Sequence, residues 1–587
     1  MKKRSPQKQK KRLKNLSEKK RIENSKKSKA VKLYPTSRAR KIISIVLCVL
    51  FILSATLFVA IVHAAKWVTS TYDETTFEQI IFNIVMPLDG VDSTLVTSAV
   101  KQIGIPALIA LLVSSLVYIP LSIIFGFGIT FYQKKKVVNP ENGATVAIKT
   151  PKFVLRDRWY FRIVRIVCWI IIFLILWNGL KYADKNFGLF EYLRGQFNQS
   201  SFIENHYKDP SKTNLTFPEE KRNLIYIFME STESSFFSKE DGGDFNEGVM
   251  KELSEMMKDS ENTHFSNTDR LGGAVSTVGA TWTMGGMFAQ TSGLPLKLPL
   301  DYNNMMAVSD TFLSYTDCLG DVLEDAGYNQ AIIMGSNGVF GGRTNYYTIH
   351  GNQRVYDWYT ADDDGIRDSD YVKNYWGLYD KDLYAYAKKV LSDMSSSDEP
   401  FALTLLTVDT HFSNGYPCED CADFKKDENG NYVLSQSGFP IPTKFEYFNK
   451  QYSNVYACAS KQVYDFVEWL KTQEYYEDTT IIISGDHLTM DAQYSAKLNP
   501  GYVRTPVNLF INSAVKAEKT QNRLFSTMDI FPTTLAAMGV KIDGDRLGLG
   551  TNLFSDKQTL IEQYGLEYFE AEIGKKSDFY NRMLFAK

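Results

Sequence analysis

Three long apolar runs near the start of the chain give way, after about residue 222, to short apolar runs separated by amphipathic stretches. The first long run, Ile42 to Ala65, is almost unbroken. It reaches the roughly 20 residues that cross bilayer hydrocarbon as a helix. The second, Ile105 to Phe131, contains Gly and Pro, which membrane helices tolerate. The third, Ile163 to Leu180, is shorter and carries Arg162, Arg165 and Lys181 at its edges, with Arg165 placed to snorkel toward headgroups. Further along, Leu224–Met229, Gln330–Met334, Phe401–Val408, Thr480–Ser484 and Val507–Ile511 have the length and apolar character of buried strands. Between and after them, Gly248–Asp259, Asp310–Ala326, Asp380–Ser392, Tyr447–Gln473 and Ser526–Met538 read as helices. This alternation predicts an α/β domain with a mostly parallel central sheet flanked by helices. Residues 183–221 are polar with scattered apolar positions and read as a stalk. The charged, aromatic tail from Ser555 reads as helical packing.

Charge adds an orientation. Residues 1–41 hold 18 Lys/Arg and 2 Glu, leaving 48 basic against 65 acidic side chains in the rest, a formal −17. The loop between Lys66 and Lys101 has no basic residue but carries Asp73, Glu74, Glu78, Asp89 and Asp92. The next loop is basic, with Lys134, Lys135, Lys136, Lys149, Lys152, Arg156 and Arg158. The positive-inside rule then places the N-terminus and the second loop in the cytoplasm, and everything after about residue 183 outside the cell. The basic arm is accordingly a topology signal that also suits anionic lipid, and no nucleic-acid partner is expected. The scheme is a cytoplasmic arm at 1–41, a multi-pass membrane domain at 42–182, a stalk at 183–221 and an extracellular α/β domain at 222–587. Of the six Cys, Cys48 and Cys168 lie within spans as apolar filler. Cys418 and Cys421 form a CxxC that resembles half a zinc site, but without a second CxxC a loop disulfide or two free thiols is expected.

The chemistry concentrates at strand ends. Glu230 directly follows Leu224–Met229, and Asp486-His487 follows Thr480–Ser484. Open α/β sheets bind ligands at the carboxyl ends of their strands, and carboxylate plus imidazole suits a catalytic divalent metal. Between them, Gly279-Ala280-Thr281-Trp282-Thr283-Met284-Gly285-Gly286 offers a hydroxyl nucleophile. Thr283 at the start of a helix would gain backbone donors for an oxyanion, while Thr281, Ser276 and Thr277 remain rivals that spacing does not separate. His411, after the Phe401–Val408 run, suits substrate positioning or proton transfer. Arg343, in Gly341-Gly342-Arg343-Thr344, suits a phosphate clamp.

At these residues the external part resembles the sulfatase-like branch of the alkaline phosphatase superfamily. Within it the chain is similar to membrane phosphoglycerol transferases, namely lipoteichoic acid synthases and enzymes that add phosphoglycerol to periplasmic glucans. The stretches that carry the likeness are Asn223–Ser231, Thr281–Met287, Leu405–Phe412, Ser484–His487, Met528–Leu535 and Gly548–Phe554. The resemblance implies an alkaline-phosphatase-like fold with a metal site made by Glu230, Thr283, Asp486 and His487, holding one divalent ion, Mn²⁺ with Mg²⁺ or Zn²⁺ as alternatives. It implies Thr283 as the nucleophile, His411 and Arg343 as substrate contacts, phosphatidylglycerol as the lipid donor, and a glycan or polyglycerolphosphate acceptor. The segment around Thr283 is closer to the glucan-modifying branch, and three spans are fewer than the five usual for lipoteichoic acid synthases. A sulfatase in the strict sense needs a C/S-x-P-x-R motif, which the chain lacks. A phosphoethanolamine transferase, a phosphodiesterase of the same fold and a non-catalytic envelope receptor or scaffold are the alternatives.

Overall fold

The computed structural model describes residues 38–73, 75–85, 97–127, 129–138, 145–155, 158–298, 312–368, 370–435 and 438–585. The expected arm at 1–41 therefore lies outside the described residues except for its last four. By contacts the chain divides into two units, residues 1–60 with 106–176, and residues 61–105 with 177–587.

Among the described residues, three helices are long and apolar enough to cross a membrane: Arg38–Thr71, Thr97–Gly126 and Trp159–Phe187. In the first unit, Phe51 stacks on Tyr118 at 4.0 Å between ring centroids. Trp169 Nε1 donates to Tyr118 Oη at 2.9 Å, and the Ser44 hydroxyl donates to the Ser122 carbonyl at 2.6 Å. Apolar side chains on the other faces, such as Leu53, Leu116 and Phe173, remain exposed, as lipid-facing positions do. The expected second span, Ile105 to Phe131, ends earlier than its composition suggests. Its helix stops at Gly126, and Ile129–Val138 (β1) turns back on Thr145–Leu155 (β2) as an antiparallel hairpin.

The second unit is built on a six-stranded sheet. Its strands are Asn223–Met229 (β3), Asn329–Met334 (β4), Arg354–Tyr356 (β5), Phe401–Leu406 (β6), Thr479–Gly485 (β7) and Asn508–Ile511 (β8). Their order is β8-β7-β3-β6-β4-β5, parallel throughout except for β8 against β7. Parallel strands buried on both faces read as continuous apolar runs, and alternate side chains of β3 separate cleanly. Leu224, Tyr226 and Phe228 enter one core with Met287, Phe288 and Phe531. Ile225, Ile227 and Met229 enter the other, with residues of the helices Lys251–Lys258, Asp380–Met394 and Gln451–Leu470. The register pairs Ser484 with Phe228 and Phe228 with Leu406, so β3, β6 and β7 end level at one edge.

Two expectations are corrected, and one strand was not foreseen. The stretch expected as a stalk folds onto the domain. Leu189–Phe197 and Phe202–His206 are helices, Phe202 and Ile203 are buried in the first core, and Ser200 and Lys208 pair with backbone at Lys576 and Gly548. Few apolar residues were enough because they fall on one side. Of the expected helix Asp310–Ala326, the described helical part is Leu319–Asp325, which starts where Asp321 Oδ2 accepts the Cys318 N–H at 2.7 Å. The short edge strand β5 had no apolar run to announce it.

Tyr72 and Phe82, between the first two apolar helices, also pack here. Tyr72 bridges to Asp491 and lies edge-on to Phe412 at 4.8 Å, while Phe82, in the helix Phe77–Val85, is buried 5.3 Å from the Trp282 ring.

Candidate active site

The level strand ends set the site. Glu230 leaves β3 with its N–H donating to Thr407 Oγ1 at 3.0 Å, which ties it to the end of β6. The next residue, Ser231, turns with φ +54°. Its hydroxyl donates to Glu230 Oε1 at 2.7 Å and its N–H donates to Asp486 Oδ1 at 2.7 Å. Asp486 Oδ1 also accepts the His487 N–H at 2.8 Å, whereas Asp486 Oδ2 is buried without a hydrogen-bond partner among the described residues. His487 Nδ1 donates to the Leu488 carbonyl at 2.7 Å. Its Nε2 faces the carboxylates, 3.4 Å from both Glu230 Oε1 and Asp486 Oδ2.

Thr283 is the first residue of the helix Thr283–Ser292. Its Oγ1 lies 3.3 Å from Glu230 Oε2 and 3.3 Å from His487 Nε2. The two glycines after Met284 explain how it comes so close. A Cβ on Gly286 would stand 1.9 Å from the Asp486 carbonyl oxygen, and one on Gly285 would stand 2.6 Å from that of Gly279. Gln290 secures the same helix, donating to the Gly485 carbonyl at 3.0 Å and accepting from Tyr226 at 2.9 Å. Of the rival hydroxyls, Ser276 donates to the Ala280 carbonyl at 3.0 Å, and those of Thr277 and Thr281 are buried without partners among the described residues.

The donor set fits a divalent cation. Glu230, Asp486 and His487 are fully buried and offer ligand atoms within 4.8 Å of one another. Metal bonds of about 2.1 Å in a tetrahedral shell put neighbouring ligands about 3.4 Å apart, close to the 3.3–3.4 Å separations here. The orphaned Asp486 Oδ2 is the atom that most needs such a partner. Electrostatics agree. Burial disfavours charge at Glu230, but the imidazoles of His411 and His487 outweigh it and hold that carboxyl well below its ordinary range. Burial, followed by the neighbouring Glu230 charge, pushes the Asp486 carboxyl up. A cation held between the two buried carboxylates would balance their charge.

His411 ends the turn after β6. Its Nδ1 donates to the Phe412 carbonyl at 2.7 Å, so Nε2 carries the lone pair. Burial pushes the imidazole below its ordinary value, and its ring lies 4.7 Å from that of Trp376. Arg343 is buried at the start of the helix Arg343–Ile349. Its Nη2 donates to Ser336 Oγ and the Asn337 carbonyl, each at 3.0 Å, while Nε has no partner among the described residues. The chain reaches that position through Gly341 and Gly342 at φ +69° and +78°, the left-handed region that favours glycine. Burial lowers the guanidinium to about 10, with the charges of Glu230 and Asp486 acting against that shift.

Two supports escaped the sequence reading. Asp380 accepts the N–H groups of Val408 and Asp409 at 2.7 and 3.2 Å, and Asp409 accepts from the Asp380 N–H and Asn374 at 3.0 and 2.9 Å, bracing the turn that leads to His411. Burial drives both carboxyls up, Asp380 to about 7. Behind Glu230, Arg504 joins Glu233 at 2.6 Å and Asp73 at 2.9 Å, and Glu233 also accepts the Thr489 N–H. Acidic residues within a polar run give no sign of which partner they meet. A cavity of about 240 Å³ lies alongside, lined among others by Asp73, Ser276, Thr281, Leu488, Thr489 and Glu570.

A family model described as Sulfatase matches residues 222–540, more than half of the chain. The chain belongs to the sulfatase family. This sulfatase-family chain is 30% identical over 389 residues to proteins named phosphoglycerol transferase I from Shigella flexneri and Escherichia coli K12. The match covers 65% of this chain and 45% of each relative, so the chain spans about half the length of the curated relatives it matches. Among solved structures, an alkaline phosphatase superfamily protein from Vibrio parahaemolyticus is 19% identical with a TM-score of 0.42, covering 61% of this chain and 76% of that one. The lipoteichoic acid synthase LtaP from Listeria monocytogenes is 16% identical with a TM-score of 0.41, covering 61% and 82%. The lipooligosaccharide phosphoethanolamine transferase A from Neisseria meningitidis is 13% identical with a TM-score of 0.44, covering 84% of each chain.

Proposed function

We propose that this sulfatase-family protein is a membrane phosphoglycerol transferase. It would move glycerophosphate from phosphatidylglycerol, through a phospho-threonine at Thr283, to a glycan or polyglycerolphosphate hydroxyl. The observation that carries the reading is the Thr283 hydroxyl, 3.3 Å from both a buried carboxylate and a buried imidazole at the mouth of three strand ends. The relatives named phosphoglycerol transferase I support the choice of donor. The three apolar helices support an integral membrane protein. The charge pattern of the loops supports a cytoplasmic N-terminus, a membrane domain over 42–182 and an extracellular catalytic domain from about residue 222.

Glu230, Asp486, His487 and Thr283 would hold one divalent ion, Mn²⁺ in this reading with Mg²⁺ or Zn²⁺ as alternatives. When bound, that ion lowers the pKa of the hydroxyl it meets and polarises a phosphoryl oxygen. The protein's own groups do the rest. Arg343, with its unpaired Nε, clamps a phosphate oxygen. The N-terminal amides of the helix Thr283–Ser292 face the developing negative charge. In the first step a bond forms from Thr283 Oγ1 to phosphorus and the bond from phosphorus to the diacylglycerol oxygen breaks. The proton lost by Thr283 passes to the leaving oxygen, with His411 Nε2 as relay. In the second step the acceptor hydroxyl gives its proton to the same nitrogen and takes the phosphorus, and Thr283 Oγ1 leaves and is reprotonated.

Membranes holding the full chain, Mn²⁺ and headgroup-labelled phosphatidylglycerol should release diacylglycerol, and Thr283→Ala should stop that release. Consumption of phosphatidylethanolamine alone would make the protein a phosphoethanolamine transferase. Equal release by Thr283→Ala would overturn the role given to Thr283.

A further inference from the structure

Cys418, Cys421 and Cys458 meet beneath the His411 loop. A turn after Pro417, in which the Cys421 and Ala422 N–H groups donate to the Cys418 carbonyl at 3.2 and 3.0 Å, brings the first two sulfurs to 3.6 Å. Cys458 comes from the helix Gln451–Leu470, and the three sulfurs lie within 4.8 Å of one another with each residue at most 2% exposed. Two side chains of that helix tie the turn down. Asn454 Nδ2 donates to the Cys421 carbonyl at 2.8 Å, and Gln462 Nε2 donates to Cys418 Sγ at 3.3 Å. An N–H aimed at sulfur favours the thiolate form, as at metal-bound cysteines.

The sequence reading weighed Cys418 and Cys421 as half a zinc site, and favoured a loop disulfide or two free thiols. Cys458 changes that balance. Zinc–sulfur bonds of about 2.3 Å in a tetrahedral shell set sulfurs about 3.8 Å apart, whereas a disulfide needs about 2.05 Å. Three sulfurs also cannot pair among themselves without leaving one buried thiol. We propose that Cys418, Cys421 and Cys458 form a structural zinc site, separate from the Glu230–Asp486–His487 cluster, that pins the segment after His411 to the helix Gln451–Leu470. Binding requires the thiols to lose their protons as the Zn–S bonds form, so the site is a metal-for-proton exchange and needs no oxidant.

The test uses the full chain purified in detergent, carrying Glu230→Gln and Asp486→Asn so that zinc at the catalytic cluster does not count. Metal analysis and X-ray absorption at the zinc edge should show about one zinc per chain, with three sulfur neighbours near 2.3 Å. Cys458→Ser should lose that zinc. Because Cys458→Ser can also misfold, the unsubstituted cysteines are read independently, through thiolate-to-metal absorption on Co²⁺ exchange. A Cys418–Cys421 disulfide in non-reducing peptide maps, or zinc with only oxygen and nitrogen neighbours, would overturn the proposal.

Discussion

Gly286→Ala tests whether Thr283 is held in place by close packing of its helix against the Asp486 turn. The added Cβ would lie 1.9 Å from the Asp486 carbonyl oxygen, and the obstacle is backbone, which cannot rotate away. Ordinary contact begins near 3.4 Å, so helix and turn must separate by about 1.5 Å. Thr283 sits one turn before Gly286 in the same helix, so that separation carries its hydroxyl out of the 3.3 Å contacts with Glu230 and His487. A misplacement of about 1 Å costs on the order of 100-fold in rate, and overpacking costs about 1–3 kcal/mol of stability. The control is Gly574→Ala, where an added Cβ meets nothing within 4 Å among the described residues; it should stay within about 0.5 kcal/mol of the parent. Diacylglycerol release and thermal melting, measured side by side on the full chain, read both effects. Turnover within twofold of the parent at an unchanged melting temperature would refute the packing argument. An equal loss in Gly574→Ala would show that the assay reports general damage.

Three further outcomes follow from the same geometry. Arg343→Lys keeps the charge but removes the Nε–H that is left to meet a phosphate oxygen while Nη2 holds Ser336 and Asn337, and it should lower kcat/KM for the lipid by about 10- to 100-fold, the worth of a charge-assisted hydrogen bond. Burial, helped by the charges of Glu78 and Glu191, raises the Glu570 carboxyl from 4.5 to about 7. Its folded-state value lies above that of the unfolded chain, so its contribution is complete below about pH 4.5 and is lost as pH rises through about 7. Glu570→Gln should therefore match the parent in melting at pH 4.5 and exceed it by about 1–2 kcal/mol at pH 8, and equal pH dependence of the two would contradict this. Chelation should halt turnover and Mn²⁺ should restore it, except in Glu230→Gln, where restored activity would contradict the assigned donor set.

The strands that carry the site were legible because parallel strands buried on both faces are continuous apolar runs. Expected and observed limits agree within two residues for β3, β4, β6, β7 and β8, and Glu230 and Asp486 stand directly after two of them. The structure also brings Thr283 to the same point, where the sequence left Thr281, Thr277 and Ser276 open. What could not be read depends on tertiary pairing. Nothing local to Cys458 shows that it faces Cys418 and Cys421, and nothing local to Arg504 shows that it joins Glu233 to Asp73 across the fold. Residues 183–221 were misjudged because a few apolar side chains on one side of short helices outweigh a polar average. Boundaries were looser for helices than for strands. Tyr447–Gln473 shortens to Gln451–Leu470, where Asn454 Oδ1 accepts the N–H of Tyr447 and organises the lead-in as a turn.

The account stands or falls on a covalent bond at one oxygen. Full-length protein incubated with Mn²⁺ and headgroup-labelled phosphatidylglycerol, quenched in acid before acceptor is added and digested, should give a peptide carrying glycerophosphate on Thr283. Diacylglycerol release with the label on another residue, or with no labelled peptide at all, would contradict it.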